Sequence, residues 1–199
     1  RMKKPVATPK PKRQLLTPER IMQAAIEMMD QEGFAALSMR KLAGKLHVEA
    51  MSLYDHFPSK EALLLAMRSH FYQQLNTAIP TRAAWHELMA ANMTALYHLG
   101  VRHPSFVAVH LHVLSVPESR QRGDIDLALL MKAGFSEKEA ASAIITLVSY
   151  VIGFLHRMVL SRPSGSRIGE ITRKDQEATF QFGLDAILAG LKASLRNKA

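Results

Sequence analysis

Cysteine is absent from the 199 residues. That excludes a disulfide scaffold, a thiolate metal site and a cysteine nucleophile, and it fits a reducing, cytoplasmic setting. Glycine (10) and proline (9) are too sparse for a fibrous or low-complexity chain. Long apolar runs are missing too. The longest uncharged stretch, Ala140 to Leu155, ends at His156 and Arg157, short of the about 20 residues that span a bilayer. It reads as a buried helix, and no membrane partner is expected. The basic, proline-rich first residues have no apolar segment behind them, so no secretory signal is expected there. There is no glycine-rich phosphate loop, paired-carboxylate motif or nucleophile signature. We therefore expect no enzyme, no catalytic residue and no cofactor.

Positive charge is what the chain has in excess, +9 in all. Residues 1–16 carry Arg1, Lys3, Lys4, Lys10, Lys12 and Arg13 and no acid, so most of the excess sits in one short stretch. Such an arm is expected to be disordered alone and to order against a polyanion, as basic arms do in a DNA groove. A solubilising tail or cloning remnant, suggested by Arg1 before Met2, is the other reading.

The rest of the chain has helical periodicity throughout. Thr17-Pro18-Glu19 is a helix start, with Thr as cap, Pro in the first turn and Glu at the positive dipole end. Ile21, Ala25, Met28 and Met29 then recur at helical spacing, and Gly33 ends the helix. Met39, Leu42, Ala43 and Leu46 give a second helix, opening at Ser38, one apolar face. After a break at His47, a third short helix is predicted from Glu49 to Phe57, and Ser59 caps a fourth that runs to about Thr77. Beyond Pro80, helices are predicted at 85–101, 106–116, 123–133, 140–161 and 176–195. The 106–116 stretch could pass for a strand by composition. Ser136 to Glu139 is a capping box for the apolar helix behind it, and 162–174 reads as a polar loop. The fold class is all-α, about nine or ten helices: an arm (1–16), a three-helix helix-turn-helix domain (17–61) and a helical second domain (62–199).

Two short helices joined by a tight turn, with a third to pack on, can place one helix in a DNA major groove. The segment Leu37-Ser38-Met39-Arg40-Lys41-Leu42-Ala43, Leu46-His47-Val48, and Leu53-Tyr54-Asp55-His56-Phe57 followed by Lys60-Glu61-Ala62-Leu63-Leu64 resembles the tetracycline-repressor (TetR) family. Ala133-Gly134-Phe135-Ser136, Gly153 and Phe180 to Leu191 extend the resemblance through nearly the whole chain after residue 16. It implies a homodimeric, ligand-responsive repressor of a palindromic double-stranded DNA operator. Val48, Leu53 and Phe57 are expected to face the other helices, leaving Ala50, Met51, Ser52, Tyr54 and His56 toward DNA. Methyl and thioether groups suit the thymine methyl, and hydroxyl and ring nitrogen groups suit phosphates or base edges. Arg40 matches the family's guanine contact; Ser38 and Lys60 match its phosphate contacts. The chain departs at His47, where glycine is usual, and at Ala50, which replaces the polar base reader. A sequence-nonspecific DNA-coating protein is the alternative.

For the second domain the resemblance implies dimerisation through the last two apolar helices and an effector pocket. Asn92 matches a polar drug contact, Leu96 an aromatic wall position and His110 a histidine that binds drug-chelated magnesium. The metal's carboxylate partner corresponds to Arg157, which cannot coordinate a cation, so no metal is expected, although His103 and His112 lie near His110. Met67, Phe71, Met89, Phe106, Val109 and Phe154 are the candidate apolar lining of a pocket for a small-molecule effector; plain core is the competing reading.

Overall fold

The computed structural model describes residues 15–75, 83–113, 116–160 and 175–196, and all regular elements among them are helical. The 162–174 loop and residues 1–14 of the arm lie outside the described residues.

Helix α1 is Pro18–Glu32. The Thr17 Oγ1 accepts the Arg20 amide at 3.2 Å, and Gly33, at φ +85°, donates its amide back to the Met29 carbonyl at 2.9 Å. A 3-10 turn, Phe34–Ala36, leads to α2, Met39–Leu46, whose cap is the Ser38 hydroxyl accepting from the Lys41 amide. Met39, Leu42, Ala43 and Leu46 are buried, as their spacing predicts.

His47 then takes the left-handed conformation, φ 56° and ψ 42°, the one non-glycine residue with positive φ among those described. Histidine tolerates this region better than most side chains, at a cost of roughly 1–2 kcal/mol. Helix α3 is only Ala50–Tyr54, shorter than the predicted Glu49–Phe57. Pro58 disfavours helical backbone at Phe57 before it, and Asp55 and His56 form a turn. Ser59 caps α4, Lys60–Gln73, through the Ala62 amide at 3.0 Å.

The second unit comprises α5 (Trp85–Arg102), α6 (Ser105–His112), α7 (Pro117–Lys132), α8 (Glu137–Leu160) and α9 (Gln176–Arg196). The strand-like 106–116 stretch is helical for most of its length. Helix α7 begins at Pro117, earlier than the predicted 123, since proline fits a first turn and the Ser119 Oγ accepts the Val116 amide at 3.0 Å. The Ser136–Glu139 box is present: Ser136 N–H donates to Glu139 Oε2 at 3.0 Å, and Glu139 N–H donates to Ser136 Oγ at 3.4 Å.

Helix α8 packs on α5, α7 and α9, while α6 lies against α4 and α1. Phe180 of α9 is fully buried and stacks on Tyr97 at 4.1 Å between ring centres. Tyr150 closes this aromatic cluster, its hydroxyl donating to the Phe180 carbonyl at 2.8 Å. The Tyr150 ring fits there because residue 183 is glycine; a Cβ would overlap its hydroxyl. By length and composition alone, Glu137–Met158 could cross a membrane; a third of it is buried in this fold.

Candidate functional site

The short α3 presents its side chains unequally. Leu53 is fully buried and Phe57 nearly so, and with half-buried Val48 they belong to the core against which α3 packs beside α2. Met51 and Tyr54 point outward, 69% and 42% exposed. Ser52 and His56 are half-buried, and Ala50 packs against the core. Arg40 is exposed on α2. Ser38 is committed as the α2 cap, with its hydroxyl hydrogen still available. Lys60 is tied inward: its Nζ donates to the Leu37 carbonyl at 2.7 Å and sits 4.7 Å from the Phe34 ring centre. Of the eight predicted DNA-facing residues, Arg40, Met51 and Tyr54 are exposed, Ser38, Ala50, Ser52 and His56 are half-buried, and Lys60 is tied to Leu37 and Phe34.

In the second unit the predicted pocket residues divide. Asn92 and Leu96 line a cavity of about 110 Å³ between α4, α5, α7 and α8, with Tyr72, Arg122, Asp126 and Val148 among its other walls. Met67, Phe71, Met89, Phe106 and Val109 do not line it and lie in the packed core, each 1% exposed or less. Phe154 belongs to the Tyr97–Tyr150–Phe180 cluster instead. The chemistry of this cavity centres on Asp126, which sequence reasoning missed. It is 3% exposed and accepts a 2.8 Å bond from Asn92 Nδ2, and the Arg122 Nε stands 3.7 Å away. Burial raises the pKa of the Asp126 carboxyl, while Arg122 and Asn92 oppose the shift. Arg122 also donates to the Leu75 carbonyl at 3.2 Å, which connects the cavity to the end of α4. The i,i+4 spacing of Arg122 and Asp126 is legible, but an exposed pair at that spacing looks the same in sequence.

The three histidines do not converge. The His110 Nδ1 lies 3.1 Å from the Tyr72 hydroxyl, and burial, aided by Arg68, lowers its pKa to about 4. His103 Nδ1 faces the Asp30 carboxylate at 3.1 Å. His112 stacks on Phe34. Among the described residues no group of three or more His, Asp or Glu side chains could hold a metal. Arg157, on the exposed side of α8, does not line the cavity.

Two polar ties hold α6 to its neighbours, one to α1 and one to α4. Asp30 on α1 accepts from the Ser105 amide at 2.8 Å as well as facing His103. Arg68 on α4 donates to the carbonyls of His110 and Val113 at 3.0 and 2.5 Å, at the end of α6.

Two family models match the chain: bacterial regulatory proteins of the tetR family over residues 21–67, and the tetracyclin repressor-like C-terminal domain over 79–165. An HTH-type transcriptional regulator of Saccharopolyspora erythraea is 31% identical over 70% of this chain, which spans 59% of that protein's length. The class A tetracycline repressor from transposon 1721 of Escherichia coli is 25% identical, covering 86% of this chain and 81% of that one. Among solved structures, ActR of Streptomyces coelicolor in complex with (S)-DNPA superposes with a TM-score of 0.72 at 26% identity, covering 90% of this chain and 98% of that one.

Proposed function

Since the chain belongs to the tetR family of bacterial regulatory proteins, a family of regulators rather than enzymes, we propose that it is a cytoplasmic, homodimeric repressor released from DNA by a small molecule. The observation that carries this reading is the edge formed by Arg40, Met51 and Tyr54, exposed on two short helices whose other faces are buried. An exposed thioether and phenol on one short helix suit a thymine methyl and a phosphate, and the neighbouring guanidinium suits a guanine edge. We assign residues 17–61 to DNA reading and 62–199 to effector binding and dimerisation, with the arm of residues 1–16 as an auxiliary DNA contact. Ser38, Ser52 and His56 contribute contacts at the margins of the edge.

Dimerisation accounts for α8 and α9. Ile145 and Phe182 are 65% and 78% exposed on these helices, and large apolar side chains in that position need a partner surface. Pairing α8 and α9 with a second copy into a four-helix bundle covers both and gives the apolar length of α8 a soluble explanation. The two reading helices then stand roughly 34–36 Å apart, one turn of DNA.

The effector reading rests on the cavity around Asn92 and Asp126. Its volume, about 110 Å³, is well below the roughly 300 Å³ at which drug-sized ligands begin to fit. A ligand of that size must open it, and opening it strains the Arg122–Leu75 link to α4. Binding and DNA release are then coupled to the extent that the ligand prefers the opened form. That ActR is solved with a small organic molecule supports the class of effector. The test is selection from random DNA followed by footprinting. An inverted repeat should emerge, and Arg40→Ala should weaken its binding by about 5- to 150-fold while leaving nonspecific binding in place. Recovery of no preferred sequence, with affinity governed by salt alone, would refute the proposal and favour nonspecific coating.

A further inference from the structure

The larger cavity, at the junction of the two units, has no part in DNA reading or in the effector cavity. It holds about 380 Å³ between α1, the Phe34 turn, α6 and the exposed His156 of α8. That lies within the range of pockets that take small organic ligands, whereas the Asn92–Asp126 cavity does not. The walls are mostly apolar: Met29, Phe34, Pro104, Val107, Ala108 and Leu111. Leu111 stands 55% exposed at the rim, an apolar side chain with little else to pack on.

The polar groups in the wall define what it can accept. Both carboxylate oxygens of Asp30 are engaged, one with the Ser105 amide and one with His103. That negative charge opposes an anionic guest. His112 and His156 share the wall, and Asp30, its oxygens taken by the Ser105 amide and His103, has no free acceptor for a cationic donor. The Ser105 hydroxyl is different: the residue is 2% exposed, and its Oγ is buried without a hydrogen-bond partner. A buried hydroxyl left unpaired costs roughly 1–3 kcal/mol, and rotation about its Cα–Cβ bond offers it to a molecule in the seam.

We propose that this seam is a second ligand site, separate from the effector cavity, for a compact, uncharged, largely apolar molecule bearing one hydroxyl that pairs with Ser105. Such a molecule touches the DNA-reading unit through Met29, Gly33 and Phe34 and the core through α6. Its binding is therefore linked to the relative placement of the two, and opposes any effector that requires them to part.

The test is a titration of full-length protein, labelled at the methionine methyls with carbon-13, with 2-naphthol as probe. Met29 reports on the seam and Met93 on the effector cavity; Met29→Leu and Met93→Leu assign the signals. The expected result is a saturable shift at Met29 with Met93 unmoved. Ser105→Ala should weaken 2-naphthol by about 2- to 10-fold and leave 2-methylnaphthalene unaffected. Ala108→Leu, which fills the seam, should abolish the Met29 shift. A saturable shift at Met93 alone, or none at Met29, overturns the site while leaving the effector reading standing. Equal affinity of wild type and Ser105→Ala overturns the hydroxyl pairing, and should Ala108→Leu fail to fold, that comparison and the Met29 signal still decide.

Discussion

Between pH 7 and pH 5, acid should weaken this protein at His110. In the folded chain its pKa is about 4, because burial, with Arg68 nearby, disfavours the charged ring; in an unfolded chain a histidine titrates near 6.5. The folded value is the lower, so protons bind the unfolded state more readily. The stability involved is fully present above pH 6.5 and is lost as pH falls from 6.5 toward 4. Worked at about 1.36 kcal/mol per unit, the loss relative to pH 7 comes to about 2 kcal/mol at pH 5 and about 3 kcal/mol at pH 4. Asp126 works the other way. Its carboxyl is raised by burial, so its contribution is greatest in acid and fades as pH rises through the folded pKa. A bare pH profile mixes the two. Urea unfolding of wild type and His110→Gln at one fixed protein concentration, at pH 7 and pH 5, separates them, because Asp126 is common to both. Glutamine keeps a hydrogen-bonding group beside Tyr72. Wild type should lose about 2 kcal/mol more than the variant on going to pH 5. Equal losses would show that His110 is protonated in the folded chain without penalty, and the reasoning from its burial would be wrong.

Three further outcomes follow from the fold. His47→Gly removes left-handed strain at the α2–α3 turn and should stabilise by about 0.5–1 kcal/mol, the strain relieved being partly offset by glycine's extra chain entropy; an unchanged or lowered melting temperature would contradict this. Gly183→Ala drives a methyl into the Tyr150 ring. It should cost about 1–2 kcal/mol through the lost bond to Phe180 and the disturbed aromatic stack, measurable by urea unfolding. Ile145→Lys with Phe182→Lys places charge at the exposed apolar positions of α8 and α9, and sedimentation should show a monomer in place of the proposed dimer.

Much of this fold is legible in the order of its residues. The caps at Thr17, Ser38 and Ser59 and the box at Ser136 are local chemistry, and local chemistry is written in consecutive residues. The apolar face of α2 is likewise set by its period. What a sequence does not display is whatever depends on distance in the fold. Met67, Phe71 and Met89 match a pocket and a core equally well, since a buried methionine or phenylalanine serves either. Asp126, the centre of the cavity, gains its meaning only from being dry and from Asn92, which reaches it across the bundle. Lys60 reads as a solvent-facing cation until Leu37 and Phe34 are seen beside it.

The economy of α3 has a consequence for how such a protein changes over generations. Of its five residues only Leu53 is fully buried, and with Phe57 and Val48 just outside the helix it holds the element, while Met51 and Tyr54 stand 69% and 42% exposed. Substitutions at exposed positions of this kind typically move stability by no more than about 0.5 kcal/mol. The residues proposed to face DNA can drift, and the operator with them, without the chain approaching its unfolding threshold. Duplicated copies can therefore acquire new target sites by steps that selection on folding does not resist, while the Asn92–Asp126 cavity, set among packed helices, is held to a slower clock.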